Sequence, residues 1–350
     1  MDPSEPFQSN DEPANNEPGQ PNPWESTPHH ALPSGIHARQ THSPIDHAAV
    51  SKEILAPAPP RWWTTIAISG VALGTFMLAS VIMTLVAVAF VHGNLSMATL
   101  TNPKSLEEVS ASRMGLLLLV VLPQLALVAP ALVAAFLSPV KTGKRLSLVR
   151  GRWPIWAWFA VAAATPLVGM ASGIVVSLFL EESETLKEMT KIFRDHGKSG
   201  FLVPLALMIG ATPAFCEELL FRGYVQTRLT RTFPPIIGIL VASFLFAIFH
   251  LDPVHVIAVF PLGFFLGWAT WKSGSLFPAM MGHFVNNVIS VVAVVMAPEA
   301  ETDVLALPTI TFTILIFVCG IAGVVGVAAA TYLYGSPNSD EPIVNPAQVV

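Results

Sequence analysis

Charged residues are scarce in this chain of 350 residues: Asp, Glu, Lys and Arg make up 12% of it, against 53% hydrophobic residues. Soluble globular domains carry about 25% charged residues, so this composition excludes a soluble enzyme with a single membrane anchor. The mean hydropathy of +0.60 supports the same conclusion. The net charge of −5 is small and no large basic patch is present, which excludes nucleic acid as an expected partner. The sequence predicts an integral protein of a lipid bilayer.

Cysteine is also rare, and several common catalytic motifs are missing. Cys216 and Cys319 each lie in an apolar run, which is typical of small buried side chains and excludes a disulfide framework or a zinc knuckle. The chain has no Gly-x-Ser-x-Gly sequence for a serine nucleophile and no His-Glu-x-x-His sequence for a zinc protease. Its start lacks the pattern of a signal peptide, so none is predicted.

Apolar clusters are absent from residues 1–60, which are rich in Pro, Asn, Ser, Glu and His. Such a segment cannot bury enough surface to fold, so we predict a disordered Pro-rich N-terminal tail. The transmembrane domain is predicted at 61–334. Residues 335–350 are predicted to form a short polar C-terminal tail.

Long apolar runs fill the middle of the chain. A helix needs about 20 mostly apolar residues to cross the hydrocarbon core, and the runs predict an all-α transmembrane bundle of about eight helices. The predicted helices span residues 65–91, 114–137, 153–180, 201–228, 235–250, 254–271, 276–296 and 307–334. The fifth and sixth are short, and the sequence marks the boundary between them poorly.

The charges of the connections predict an orientation. Residues 138–152 contain five basic residues and no acid, which places this connection in the cytoplasm. Alternation then puts both termini in the cytoplasm, and the protein is predicted in the cytoplasmic (inner) membrane. The connection with Glu299, Glu301 and Asp303 falls outside. Residues 181–200 contain an amphipathic stretch, for which a helix on the membrane surface and a solvated helix are both open.

Three ionisable residues interrupt the fourth apolar run, namely Glu217, Glu218 and Arg222. Such groups are costly inside a membrane and therefore indicate function. Arg222 follows Glu218 by four residues, so the two share a helical face and are expected to pair as a supporting element. Adjacent residues point about 100° apart on a helix, which leaves Glu217 free to face a cavity as a general base for water. The alternative is that both acids only pair with arginines at a helix end.

Two further apolar runs contain imidazole and amide groups. His250 lies four residues after Phe246 and could serve as a second acid–base group. The alternative is that it only forms a hydrogen bond between helices, as a lone histidine in a membrane often does. His283 and Asn287 are also four residues apart, so they share a face and form a plausible oxyanion-stabilising pair. Asn286 points elsewhere and is interpreted as a helix–helix hydrogen-bonder. Glu217, His250, His283 and Asn287 are the predicted catalytic residues.

These residue types do not decide whether the site uses a zinc ion or no cofactor. Glu217, His250 and His283 match a two-histidine, one-carboxylate zinc set. Water activation without any cofactor is the other possibility. The amide of Asn287 suits an oxyanion better than it suits zinc, which favours the metal-free interpretation.

The three motifs together resemble those of the CAAX protease and bacteriocin-processing (CPBP) family, also called the Abi or type II CAAX prenyl endopeptidase family. The motifs are Glu217-Glu218-x-x-x-Arg222, Phe246-x-x-x-His250 and His283-x-x-x-Asn287, in the family order and within roughly residues 150–300. The resemblance implies an intramembrane endopeptidase of about eight helices that cleaves a peptide or membrane-protein substrate. Glu217 and His250 would activate water, while His283 and Asn287 would stabilise the oxyanion.

Two other classes of function are considered. The first is a membrane immunity or scaffold protein that retains the fold without turnover, which the four intact catalytic positions disfavour. The second is a proton-coupled transporter, which would predict inverted helical repeats, and the sequence shows none.

Overall fold

The computed structural model of the protein describes residues 61–297 and 307–335. The predicted tail at 1–60, the acidic connection with Glu299, and the C-terminal tail beyond Gly335 lie outside these residues. The described part is helical and contains no strand, so the predicted all-α fold is confirmed.

The described residues form nine helices of more than ten residues. In chain order they are α1 Trp63–His92, α2 Arg113–Phe136, α3 Ile155–Ser177, α4 Glu184–His196, α5 Leu202–Glu218, α6 Pro235–Ile248, α7 Pro253–Ser273, α8 Phe277–Met296 and α9 Leu307–Tyr334. A π-helical segment, Leu219–Gln226, continues α5, and short helices occupy Met97–Leu100, Pro103–Ala111, Thr142–Arg145 and Thr227–Thr232.

Seven of the helical stretches are long and apolar enough to cross a membrane, and α6 is a shorter apolar helix. The protein is therefore an integral membrane protein. Each predicted span corresponds to a helical stretch whose ends differ from the prediction by a few residues at most, and two spans also differ in length class or geometry. The sixth was expected to be short, but α7 has 21 residues. The fourth was expected as one continuous helix, whereas α-helical geometry ends at Glu218 and the wider π segment follows.

Local sequence explains where α7 begins and ends. The Asp252 side chain accepts a hydrogen bond from the His255 backbone N–H, and Pro253 occupies the first turn, where its missing N–H costs nothing. Gly274 ends the helix with a φ of 68°, a conformation that glycine adopts without strain. The boundary between the fifth and sixth predicted helices is thus the capped start of α7 at Pro253.

The amphipathic stretch is the helix α4, whose apolar face packs on the protein. Ile192 and Phe193 contact a buried cluster that includes Leu205 of α5 and Val291 of α8. The interpretation as a simply solvated helix is therefore wrong for this face.

The order of packing gives α5 a central position. It lies against both α2 and α8, while α8 also packs on α3, and α3 in turn packs on α9. The contact between α3 and α9 is close, because a Cβ at Gly323 would lie 2.5 Å from the Ala164 backbone nitrogen. Small residues commonly allow such approaches between membrane helices. Side chains of α2 and α8 can consequently reach the end of α5 from two sides.

Candidate active site

The charged segment at the end of α5 is buried throughout. Every residue from Cys216 to Gln226 is shielded from solvent, and Glu218 and Arg222 are 0% exposed. The backbone changes from α-helix to π-helix directly after Glu218. Single π-helical turns within α-helices occur frequently at functional sites.

Glu218 and Arg222 form the expected pair and are held by other helices. Nη1 of Arg222 donates to Oε1 of Glu218 at 2.9 Å, and Nη2 donates to the Gly263 carbonyl of α7 at 3.0 Å. The Arg222 guanidinium carbon lies 4.1 Å from the centre of the Phe246 ring of α6. A buried ion pair needs further hydrogen bonds; Gly263 supplies one here, while Oε2 of Glu218 and Nε of Arg222 have no partner among the described residues. This arrangement ties the π segment to α6 and α7.

His283 of α8 lies between the two glutamates. Its Nδ1 is 2.9 Å from Oε1 of Glu218, and its Nε2 is 3.9 Å from Oε2 of Glu217. Because a carboxylate only accepts hydrogen bonds, Nδ1 carries the hydrogen and donates a hydrogen bond to Glu218. The second distance is too long for a hydrogen bond. Nε2 is therefore directed at Glu217 without being bonded to it.

Glu217 has one bonded oxygen and one that makes no hydrogen bond to the described residues. Nε2 of Gln124, on α2, donates to Glu217 Oε1 at 2.8 Å. Oε2 is buried and has no protein partner in the described ranges. The side chain lies on a cavity of about 110 Å³, lined by Phe76, Gln124, Leu127, Glu217, Phe249 and His250. Glu217, which was expected to face a cavity, thus lines one.

His250 shares this cavity with Glu217 and lies just beyond the end of α6. Its Nδ1 is 3.3 Å from the Phe246 carbonyl, and its ring centre is 4.6 Å from that of His255. The next residue, Leu251, has a φ of 62°, which is uncommon for a residue with a side chain. Strained backbone of this kind clusters at functional sites.

Asn287 is on the same side of α8 as His283 but bonds elsewhere on α5. Its Nδ2 donates to the Ile209 carbonyl at 3.2 Å, roughly two helical turns before Glu217. Both side chains face α5, as their spacing predicts. Asn286 donates to Oδ1 of Asn287 at 3.2 Å and approaches α3, where a Cβ at Gly169 would lie 2.7 Å from its Oδ1. The described contacts thus join Glu217 to His283, whereas those of Asn287 are with Ile209 and Asn286.

The suggested zinc ligands do not form a metal-binding cluster in the described residues. No group of three or more His, Cys, Asp or Glu side chains is arranged there to hold a metal ion. Nδ1 of His283 is bonded to Glu218 and Nδ1 of His250 lies against the Phe246 carbonyl, so Nε2 of each ring is the nitrogen left for another partner. As the structure describes them, Glu217, His250 and His283 are not gathered around one point where a zinc ion could bind.

Two residues near the site were missed by the sequence reasoning. Gln124 is the only polar side chain between Met114 and Leu137, and a lone polar group in an apolar helix was a usable signal. His255 is a second histidine beside an apolar run, five residues after His250. Both lie outside the motifs that carried the resemblance.

Comparisons with known proteins support the resemblance drawn from the motifs. Residues 199–289 match the family model described as type II CAAX prenyl endopeptidase Rce1-like. This range contains α5 to most of α8, and it is narrower than the range of about 150–300 suggested by the motifs. The chain is 27% identical over 158 residues to the uncharacterized protein YpbD of Bacillus subtilis (strain 168), covering 44% of this chain and 76% of the relative. No solved structure matches the chain.

Proposed function

We propose that this integral membrane protein is an intramembrane endopeptidase in which Glu217 activates water to hydrolyse a peptide bond. The observation that carries the proposal is the environment of Glu217. One of its oxygens is held by Gln124, while the other has no partner among the described residues and lies 3.9 Å from Nε2 of His283. The same carboxylate lines a cavity with a second titratable group, His250.

In this mechanism Glu217 removes a proton from water as the water oxygen attacks the carbonyl carbon of the scissile bond. The proton then passes to the departing amine through Glu217 or His250 as the C–N bond breaks. With Nδ1 bonded to Glu218, His283 has its Nε2 directed at Glu217, and the proposed mechanism requires a proton on that nitrogen. Its Nε2–H then donates to the oxyanion that forms on the carbonyl.

The remaining motif residues are assigned by their contacts. Glu218 and Arg222 hold His283 and the π segment in place, and Phe246 supports Arg222 through its ring. Asn287 is proposed as the second oxyanion donor, since one of its two amide hydrogens remains after the bond to Ile209.

The substrate is proposed to be a peptide or membrane protein cleaved near the cytoplasmic side of the inner membrane. The basic connection at 138–152 supports a cytoplasmic placement of that end of the bundle and of both termini. The match at residues 199–289 makes peptides with a prenylated C-terminal cysteine the first substrates to test.

The proposal is tested with purified protein in phospholipid vesicles. Apolar peptides with and without a C-terminal prenylated cysteine are added, and products are identified by mass spectrometry. We expect defined cleavage by the wild type and none by Glu217→Gln. Equal cleavage by this variant would contradict the assigned base. Loss of activity on chelation, restored by stoichiometric zinc, would replace the metal-free chemistry and leave the protease assignment intact.

A further inference from the structure

We infer that Gln124 of α2 is a positioning residue for Glu217, so that the working site extends beyond residues 199–289 to the first two membrane helices. The inference rests on the proposed function and adds a residue to it. The cavity already indicates this extension, because Phe76, Gln124 and Leu127 are three of its six lining residues and belong to α1 and α2.

The position of Gln124 is costly without a specific role. It is the only polar side chain between Met114 and Leu137, and α2 otherwise presents apolar groups to its neighbours. A polar group in a membrane helix is destabilising unless it is bonded. The bond that the structure gives Gln124 is the 2.8 Å contact with Oε1 of Glu217.

The chemistry of an amide suits the orientation of a base. An arginine at this position would form an ion pair with Glu217 and compete for both oxygens. The neutral amide fixes Oε1 and adds no charge, which leaves Oε2 directed towards His283 at 3.9 Å. Gln124 from α2 and His283 from α8 thus approach different oxygens of one carboxylate. The hydrogen bond from α2 thus restrains the rotation of that carboxylate, with its other oxygen facing α8.

The same contact affects protonation. A hydrogen bond donated to a carboxylate favours its ionised form over the neutral acid, and the base must be ionised to accept a proton from water. The other charged or titratable groups around Glu217 are Cys216, Glu218 and Arg222 on its own segment, His283 on α8 and His250 beyond α6. None of these changes when Gln124 is replaced, so a shift in pH dependence would report on the amide.

The decisive variant is Gln124→Met, which keeps the unbranched shape and removes the donor. A hydrogen bond to a charged group contributes enough for a loss of about 10- to 100-fold in kcat. We expect that loss with little change in KM, together with a shift of the acid limb of the pH–rate profile to higher pH. Gln124→Asn retains the amide on a shorter side chain, and we expect it to recover part of the lost rate.

Thr75→Val is the matched control. Thr75 of α1 donates from Oγ1 to the Ala126 carbonyl of α2 at 3.0 Å, so this change removes a hydrogen bond between the same two helices near Gln124. It does not touch Glu217. We expect its pH–rate profile to match that of the wild type. If Thr75→Val and Gln124→Met behave alike, Gln124 serves only to join helices and the inference is overturned.

A second measurement does not depend on proteolysis. Infrared difference spectroscopy follows protonation of the Glu217 carboxyl, which is assigned by its absence in Glu217→Gln. We expect this carboxyl to titrate at higher pH in Gln124→Met than in the wild type. An unchanged titration overturns the inference even if the enzyme is active. A shifted titration in a protein that cleaves no peptide would support the contact and reject the proposed function.

Discussion

The two sides of the buried segment Glu217–Gln226 differ in whether they line a cavity. On one side Glu218 and Arg222 are fully buried. Glu218 contacts His283, and Arg222 contacts the ring of Phe246. On the other side Glu217 is 9% exposed and lies on a cavity of about 110 Å³. Two chemically identical side chains, adjacent in the chain, therefore have different environments.

The difference shows how a membrane protein can combine a stable site with a reactive one. On the closed side, away from the cavity, Glu218 and Arg222 pair with each other, and Arg222 also donates to the carbonyl of Gly263. Each glutamate has one oxygen without a hydrogen-bond partner among the described residues, but of the two side chains Glu217 is the one that lines the cavity. His283 contacts Glu218 and points at Glu217, so it couples the two sides.

The largest expected effect is on the cleavage rate, and it should distinguish Glu217 from Glu218. Glu217→Gln removes the base, and we expect a loss of about 10²- to 10⁴-fold in rate with an unfolding temperature near that of the wild type. Glu218→Gln leaves Arg222 without its partner, so both rate and stability should fall. Peptide cleavage and thermal unfolding in detergent check this. Comparable stability losses in the two variants would abolish the distinction.

The next effect concerns the closed side alone. Removing one member of a buried ion pair costs about 3–5 kcal/mol, so Arg222→Ala should lower the free energy of unfolding by roughly that amount. Arg113→Ala is the control, because Arg113 is exposed, donates to the Ser199 carbonyl and lies 5.2 Å from the centre of the Phe201 ring without forming an ion pair in the described residues. Denaturation in mixed micelles measures both variants. An Arg222→Ala protein as stable as wild type, yet inactive, would instead give Arg222 a direct catalytic role.

A smaller effect tests how the sides are coupled through His283. The amide nitrogen of an asparagine reaches about as far as Nδ1 of a histidine, so His283→Asn can keep a donor for Glu218 while losing Nε2. We expect near-normal thermal stability and a rate loss of about 10²- to 10³-fold, the usual range for an oxyanion donor. His283→Ala should lose stability as well. Full activity in His283→Asn would remove Nε2 from the mechanism.

The smallest effect lies at the turn that follows His250. The Ser183 hydroxyl and then the His255 backbone N–H hold the pKa of Asp252 below its ordinary value. A depressed pKa stabilises the fold above the pKa of the unfolded state, and this contribution is lost as pH falls through the folded value. Asp252→Ala should therefore lower Tm modestly near neutral pH and have less effect in acid. Scans of Tm against pH check this, with the exposed Asp195→Ala as a control whose effect should not follow the same course.

Much of the fold could be predicted, because helices that cross a membrane are long apolar runs in the sequence. The run at 307–334 corresponds to α9 at Leu307–Tyr334 without adjustment. The ends of α3 were less predictable, since Leu178 and its neighbours are apolar but lie beyond the last helical turn. The π segment had no sequence signal, because a widened turn depends on what packs around it.

The sequence by itself determined the membrane class, the pairing of Glu218 with Arg222 and the residue types available for chemistry. Composition and spacing along one helix are sufficient for these, since they depend on local periodicity. Only the tertiary structure decided that Gln124 meets Glu217 and that His283 lies between the two glutamates. Those contacts join helices far apart in the chain, and their distances follow from how α2, α5 and α8 pack.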